Sequence, residues 1–220
     1  MKVLVACEES QRVCTAFREK GHEAYSCDIL EMSGGHPEWH IQADVRDIIN
    51  TPLYFSTFDG VTHYTDKWDL LIAHPPCTYL TVTGNKYYNV DVYGEQAEIR
   101  AKNRELAVDF FMMFVNANVD KICIENPVGI MSTRYRKPNQ YIEPYFFGDP
   151  VAKKTGLWLK NLTELYPTNK LDKPERIYLH DGNSMDMWYY TTSFLPPAER
   201  SRERSKTFPG IAKAMAEQWG

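Results

Sequence analysis

The most constraining feature of the sequence is a short apolar run that ends in two consecutive prolines and a cysteine. Within Trp68–Thr81, a predicted buried strand, Trp68–Ala73, runs into His74-Pro75-Pro76-Cys77. Prolines fix φ, lack a backbone donor and hold the preceding residue extended, so the strand must stop in a stiff turn. Cys77 is therefore predicted at the carboxyl end of a strand, where ligands bind in open α/β sheets. A thiol held there is a candidate nucleophile, and a small buried cysteine that closes a loop is the alternative.

A second stretch of the chain repeats this design. Lys121–Ile124 is predicted to form a short apolar strand, and Glu125-Asn126-Pro127 follows it directly. Parallel strands end at the same edge of a sheet, so Cys77 and Glu125 are expected side by side. A thiolate that adds to carbon 6 of cytosine makes carbon 5 nucleophilic, and a carboxyl group on the ring nitrogen and exocyclic amine stabilises the resulting charge. The two motifs supply the thiol and the carboxyl group that this chemistry would need.

The N-terminal segment alternates as a βαβ unit does. Its predicted elements are the strands Lys2–Ala6, Glu23–Cys27 and His40–Ala43, with a helix after the first strand that Ser10 caps and Gly21 ends. This order is typical of an α/β fold with a parallel sheet.

Two aspartates, Asp28 and Asp44, close the second and third of these strands. In nucleoside-binding folds a carboxylate about 20 residues beyond the first turn accepts hydrogen bonds from ribose hydroxyls. A turn-forming or helix-capping aspartate is the alternative for either residue alone. The first loop, Cys7–Gln11, has no glycine, so the dinucleotide fingerprint is absent and a pyrophosphate is poorly served. The pattern favours S-adenosylmethionine, which carries an adenosyl group without phosphates.

The rest of the chain completes an α/β pattern. The predicted segments are a mobile, substrate-facing loop (Thr78–Tyr93), a long helix (Glu95–Asn116), an irregular aromatic tract (Tyr141–Gly148), a late strand (Gly156–Lys160), loop and hairpin material (Leu171–Pro196) and a final helix (Pro209–Gln218). No repeat or composition shift marks a boundary, so residues 1–220 are expected to form one domain, with a mostly parallel central sheet flanked by helices.

The amino-acid composition limits which partners and which cellular location are expected. The net charge is −4 and the pI about 5.9, unlike a dedicated nucleic-acid binder, although Arg134–Lys137 and Arg200–Lys206 are local basic stretches. Five cysteines without C-x-x-C spacing argue against disulfides or zinc and favour a reducing, cytosolic location. The chain opens on a strand pattern rather than a signal peptide, and no apolar run approaches the roughly 18 residues of a membrane span. A cytoplasmic protein without a membrane partner is expected.

At these motifs the sequence resembles the cytosine carbon-5 methyltransferase family. Pro75-Pro76-Cys77 matches the nucleophile turn of the family, and Glu125-Asn126-Pro127 matches its carboxylate motif, which usually has valine in third place. The resemblance covers residues 1–130 and implies a Rossmann-like S-adenosylmethionine-dependent methyltransferase fold, with Cys77 and Glu125 catalytic. The tract Asn139–Lys160 and the closing Arg204–Gly210 resemble short phage-type members that lack a target-recognition domain.

The resemblance also implies binding roles. Asp28 corresponds to the residue that binds the cofactor ribose, and Asp44 to the one that reads its adenine. The residues implied to contact the cofactor are Cys7, Glu8, Ser10, Asp28, Ile29, Asp44, His74 and Pro75. Those implied to contact the substrate are Pro76, Asn126, Arg134, Arg136, Lys153 and Lys154, the last four as substitutes for a Q-x-R-x-R motif that the chain lacks. The glycine-rich first loop of the family is missing as well.

The substrate prediction follows from the short C-terminal region. About 90 residues follow the glutamate motif, which leaves little room for a target-recognition domain. Flipping a base out of duplex DNA needs phosphate contacts on both sides of the target, for which an acidic chain of this length is poorly equipped. A free cytidine nucleotide, dCMP or CMP, is therefore preferred, with cytosine in DNA as the alternative.

Other interpretations are weaker. Amino-methyltransferases carry [D/N]-P-P-[Y/F/W] at this turn, where the first, polar residue bonds the target amine and the last, aromatic residue stacks on the base. His74 does not fit the first role, and Cys77 does not fit the second. An inactive module that only binds a nucleotide or S-adenosylmethionine would have no reason to keep both Cys77 and Glu125. His36 and His40 have H-x-x-x-H spacing but lie in a Gly/Pro loop, so no metal site is predicted. A homodimer is left open.

Overall fold

The computed structural model describes residues 1–180 and 182–220 of the chain. Its central sheet is built from β1 (Lys2–Ala6), β2 (Glu23–Asp28), β3 (His40–Gln42), β6 (Leu70–Ala73), β7 (Lys121–Pro127), β8 (Gln140–Ile142) and β9 (Thr155–Lys160). Two separate hairpins comprise β4 (Leu53–Ser56) with β5 (Thr62–Thr65), and β10 (Arg176–Tyr178) with β11 (Ser184–Asp186).

The order of the central sheet is β3-β2-β1-β6-β7-β9-β8. The five strands from β3 to β7 are parallel, and β9 runs antiparallel to both of its neighbours. The middle strands β1 and β6 are buried apolar runs, as parallel strands covered on both faces must be. The prediction of a mostly parallel central sheet flanked by helices is confirmed.

Helices cover both faces of this sheet. They are α1 (Arg12–Glu19), α2 (Val45–Ile48), α3 (Val90–Tyr93), α4 (Glu95–Val115), α5 (Met131–Arg134), α6 (Met187–Ser193), α7 (Pro197–Ser205) and α8 (Pro209–Trp219), with 3-10 helices at Pro37–Trp39, Val82–Tyr88 and Pro144–Phe146. Alternate residues of β1 enter different cores. Leu4 packs with Phe111 of α4, whereas Val5 packs with Phe17 of α1 and Met215 of α8. None of the described helices has the length and apolarity that a bilayer span needs.

Several predicted elements are corrected by the structure. The segment Thr78–Tyr93 is not an open loop, because it forms a 3-10 helix followed by α3. The segment Leu171–Pro196 contains the expected hairpin but also α6, whose N-cap is Asp186. Ser10 does not cap α1; the carboxylate of Glu8 accepts hydrogen bonds from the N–H groups of Val13 and Cys14 at 2.6 and 3.1 Å.

Candidate active site

The carboxyl ends of the parallel strands meet at one edge of the sheet, and a cavity of about 790 Å³ opens there. The loops after β1, β2, β3 and β6 contribute Cys7–Ser10, Cys27–Leu30, Ala43–Arg46 and His74 with Pro76–Thr78. The remaining wall comes from Phe110 of α4, from α7 and from the residues after α7. A cavity of this size is typical of a small-molecule or cofactor site.

The turn after β6 places Cys77 on the cavity wall. The N–H of His74 donates to the carbonyl oxygen of Ala6 at 2.9 Å. The two prolines that follow have no N–H, so the backbone hydrogen bonds between β1 and β6 end there. Beyond them, the N–H groups of Leu80 and Thr81 both donate to the carbonyl oxygen of Cys77 at 3.0 Å. Cys77 is exposed, unlike the buried cysteines 14, 27 and 123.

The charge environment of Cys77 disfavours its thiolate. Although the residue is exposed, desolvation of its sulfur by the surrounding protein and then the Glu125 carboxylate raise the pKa of the Cys77 thiol, while Lys153 lowers it. The register of β6 with β7 brings Glu125 to the same sheet edge as the Cys77 turn. Cys77 is therefore mainly a protonated thiol at neutral pH and must lose its proton to act as a nucleophile.

Glu125 is brought to Cys77 by strand register. Ala73 of β6 pairs with Ile124 of β7, so the next residues, His74 and Glu125, are neighbours at the sheet edge. His74 Nδ1 lies 3.0 Å from Glu125 Oε2, and both side chains are largely buried. Burial raises the pKa of Glu125, but His74, Lys153 and Thr155 together lower it below its ordinary value. Glu125 is therefore ionised at neutral pH.

Asn126 ties the two motifs together. Its Nδ2 donates to the carbonyl oxygen of Pro75 at 2.7 Å, while its buried Oδ1 has no partner among the described residues. The same is true of His74 Nε2, which is also buried. Two polar atoms next to the nucleophile turn therefore remain available to a bound molecule, since buried polar groups normally have partners.

The first loop is shaped by residues with unusual backbone geometry. Cys7 and Gln11 have φ of 59° and 58°, and the N–H groups of Cys7 and Glu8 donate to the carbonyl oxygen of Cys27. Glu8 caps α1, so its carboxylate is already occupied. Glu9 was not predicted as a site residue. Its Oε1 contacts Arg202 Nε at 3.2 Å, and its buried Oε2 has no partner.

Asp28 and Asp44 both line the cavity, but their carboxylates differ. One oxygen of Asp28 accepts a hydrogen bond from the N–H of Leu30, and burial raises the pKa of Asp28. Both carboxylate oxygens of Asp44 accept hydrogen bonds from the guanidinium group of Arg46. Asp44 Oδ1 also accepts from the backbone N–H of Arg46 and so caps the start of α2. Asp28 is thus open to a ligand, whereas Asp44 has the capping role given as its alternative.

The predicted basic substrate residues are spread over the surface. Arg134 pairs with Glu105, Arg136 bonds to the chain around Asn139 and Leu159, and Lys154 lies 4.4 Å from the ring centre of Tyr141. None of the three lines the cavity. Lys153 alone acts on Cys77 and Glu125.

The main part of the site that sequence reasoning missed is the wall formed by α7, to which α6 is bonded through Arg204. Burial raises the pKa of Tyr189, and Cys77 and Glu125 raise it further, so this phenol lies near the nucleophile. Arg200 and Arg204 of α7 line the cavity. The basic stretch and the proline at the first position of α7 were the available signals, and charge runs are usually solvated.

Neither histidine of the H-x-x-x-H pair is placed for metal binding. His36 stacks on Trp39 with 3.8 Å between ring centres, and His40 is held by Ser26 and the carbonyl oxygen of Leu30. In the described part of the chain, no three His, Cys, Asp or Glu side chains are grouped as metal ligands.

The fold and site together define a mixed α/β protein with a ligand cavity, an exposed thiol and a buried carboxylate at the carboxyl edge of its sheet. No protein-family model and no curated protein matches the sequence. Among solved structures, the chain is similar to a protein described as a candidate DNA modification methyltransferase encoded within an E. coli prophage, with 14% identity and a TM-score of 0.44. The match covers 90% of this chain and 56% of that one, so this chain spans a little over half of its neighbour.

Proposed function

We propose that this protein is an S-adenosylmethionine-dependent methyltransferase that transfers a methyl group to carbon 5 of cytosine. One observation carries the proposal: Cys77 and Asp28 line the same cavity, and the register of β6 with β7 brings Glu125, which contacts His74, to the same sheet edge. A nucleophile, a carboxyl group and a ribose acceptor on one sheet edge are the groups that this reaction needs.

The residues present fit S-adenosylmethionine. Asp28 has a free carboxylate oxygen for the ribose hydroxyls, and Ile29 beside it is 70% exposed and can cover the adenine. The orphaned Oε2 of Glu9 suits the ammonium group of the methionine part. When bound, S-adenosylmethionine supplies an electrophilic methyl group on a positively charged sulfur.

The side chains then divide the chemistry. Cys77, as the thiolate, adds to carbon 6, so that a sulfur–carbon bond forms and the electron pair of the 5,6 double bond becomes available at carbon 5. Glu125 accepts a hydrogen bond from the exocyclic amine and, once it has taken up the proton that Cys77 loses, donates that proton to the ring nitrogen as charge builds there, with His74 fixing its orientation. Bound S-adenosylmethionine would supply the methyl group that carbon 5 takes up, and S-adenosylhomocysteine would leave. Loss of the carbon-5 proton to water then restores the double bond, and Cys77 leaves as the thiolate.

The test is methyl transfer from labelled S-adenosylmethionine to a panel of dCMP, CMP, dUMP and DNA. We expect label on carbon 5 of cytosine, lost in Cys77→Ala and kept in Cys14→Ala, which removes a buried thiol outside the cavity. Label on the exocyclic nitrogen would indicate amino-methyl transfer instead. An unaltered rate in Cys77→Ala would exclude the covalent step.

A further inference from the structure

Two arginines on the cavity wall have no acidic partner. Arg200 and Arg204, both on α7, line the cavity that holds Cys77. The other basic residues of that lining, Arg46 and Lys206, pair with Asp44 and Glu203. Among the described residues, neither Arg200 nor Arg204 forms an ion pair, so both guanidinium charges face the cavity uncompensated.

Both guanidinium groups are held in place by neutral oxygens. Arg204 Nε donates to Thr192 Oγ1 at 2.9 Å, and its Nη2 donates to the carbonyl oxygen of Tyr189 at 2.8 Å. Arg200 Nη1 donates to the carbonyl oxygen of Ser193 at 3.1 Å. These bonds orient the side chains without neutralising them and leave further N–H groups on each arginine for a ligand.

The pair is also under electrostatic repulsion. Arg200 and Arg204 lie four residues apart on one helix, a spacing at which like charges destabilise. Burial, together with the charge of Arg200, lowers the pKa of Arg204. An anion that accepts hydrogen bonds from both side chains would relieve this repulsion, and phosphate oxygens match the forked geometry of arginine.

The position of the pair relative to Cys77 indicates which anion. Lys153 donates to the carbonyl oxygen of Arg204 at 2.8 Å, and the same ammonium acts on both Cys77 and Glu125. In an anti pyrimidine nucleotide, carbon 6 is the ring atom that faces the 5′ oxygen. A thiol placed to attack carbon 6 therefore has the 5′-phosphate on its own side.

We infer that Arg200 and Arg204, supported by Lys153, bind the 5′-phosphate of a pyrimidine nucleoside monophosphate. The inference rests on the proposed function for the placement of the ring beside Cys77, but phosphate binding is measurable without methyl transfer. A phosphodiester of DNA and the carboxylate of S-adenosylmethionine offer related chemistry, so the experiment must separate these sources.

Calorimetry with dCMP, deoxycytidine, a cytosine-containing oligonucleotide and S-adenosylmethionine separates them. Arg204→Gln and Arg200→Gln should each weaken dCMP binding about tenfold or more, since each removes a charge-assisted hydrogen bond. Their affinities for deoxycytidine and S-adenosylmethionine should stay within about twofold of the wild type. Arg204→Lys should retain part of the dCMP affinity, and Arg134→Gln, on the surface outside the cavity, is the matched control.

Three results would overturn the inference. They are unchanged dCMP affinity in both glutamine variants, a loss confined to S-adenosylmethionine, and a wild type that binds the oligonucleotide but not dCMP. Arg200→Gln keeps the test open if Arg204→Gln fails to fold, because the Arg200 side chain makes a single hydrogen bond within the described part of the chain. Arginine-dependent dCMP binding without methylation of any acceptor would uphold this site and refute the proposed function.

Discussion

At the scale of single residues, the reactivity of Cys77 depends on its charged neighbours. Because burial and Glu125 raise its thiol pKa, little thiolate is present at pH 8, and the rate of alkylation by iodoacetamide should still be rising above pH 9. Glu125→Gln removes the adjacent negative charge that raises the pKa of the Cys77 thiol and should speed alkylation at pH 8. Mass spectrometry of the peptide that contains Cys77 measures the rate.

Lys153→Met provides the opposite change for this experiment. The ammonium of Lys153 lowers the pKa of Cys77, so its loss should slow alkylation. An equal rate of Cys77 alkylation in wild type, Glu125→Gln and Lys153→Met would show that these charges do not affect the pKa of the thiol.

The ionisation of Glu125 depends most on its contact with His74. Burial alone would raise the pKa of this carboxyl group, and the contact with His74 is the largest opposing effect. His74→Asn should therefore raise the pKa of Glu125, as followed by carbon NMR of glutamate-labelled protein with Glu125→Gln for assignment. A carboxyl group that still titrates below its ordinary value in His74→Asn would mean that Lys153 and Thr155 suffice.

The sequence predicted the site only where neighbouring residues determine the backbone conformation. The prolines before Cys77 fix its turn in the sequence itself, and the structure places that turn as expected. In the first loop, the lack of glycine gave no sign that Cys7 and Gln11 would adopt left-handed backbone conformations. Gln11 holds its conformation through side-chain bonds to the backbone of His36, a contact 25 residues away that no local pattern contains.

At the scale of secondary structure elements, α1 depends on a buried carboxyl group. Burial raises the pKa of Glu8 to about 7, although His74 and the two capping bonds lower it and Glu9 adds to the rise. For a carboxyl group whose folded pKa lies above its unfolded value of 4.5, the stabilising contribution is full below pH 4.5 and lost as pH rises through about 7. The wild type should thus lose on the order of 2–3 kcal/mol from this group between pH 5 and 8.

Urea unfolding at pH 5 and pH 8 measures this contribution. Glu8→Gln cannot ionise, so its stability should change less between the two pH values than that of the wild type. Glu19→Gln, an exposed acid at the end of the same helix, is the matched control and should follow the wild type. The same pH dependence in wild type and Glu8→Gln would rule out Glu8 as its source.

A second element, α4, holds the residues that directly follow Cys77 through arginine hydrogen bonds. Arg100 Nη2 donates to the carbonyl oxygen of Thr78 at 2.9 Å, and Arg104 Nε donates to that of Tyr79 at 3.1 Å. Arg100→Ala should release the 3-10 helix Val82–Tyr88 and speed tryptic cleavage after Lys86 several-fold, as mass spectrometry would show. Lys102→Ala, an exposed change on the same helix, should cleave like the wild type, and equal rates in all three proteins would refute this clamp.

The elements that the sequence predicted are those with a strong apolar pattern. The strands β1, β6 and β7 and the helices α4 and α8 have buried residues at the right spacing, so their identity follows from local sequence. The helix α7 has no buried residue, and α6 has only Thr192. Their positions depend on bonds such as those of Arg204, which a local pattern does not show.

At the scale of the whole molecule, charge is unevenly distributed. The chain carries a net charge of −4, yet the α7 wall of the cavity is positive. Composition therefore gives the net charge of the chain but not the charge of the cavity, because it is the fold that brings residues 200–206 to the sheet edge. An anionic ligand would meet a locally attractive field on an acidic protein.

Cofactor binding should be visible in the unfolding of the entire chain. A ligand that binds only the folded state adds about 2.7 kcal/mol at a concentration 100 times its Kd. For a protein of this size, that corresponds to a rise in Tm of roughly 5–10 °C. We expect this rise with S-adenosylmethionine and its loss in Asp28→Asn, because Asp28 lines the cavity and has a carboxylate oxygen that we propose accepts from the cofactor ribose.

The matched control for that prediction is Asp59→Asn, a turn aspartate that bonds Thr57 outside the cavity. It should keep the full increase in Tm even if its starting Tm is lower. An increase retained in Asp28→Asn would move the cofactor away from the end of β2. No increase in the wild type would remove the cofactor from the cavity altogether, and with it the donor on which carbon-5 methylation depends.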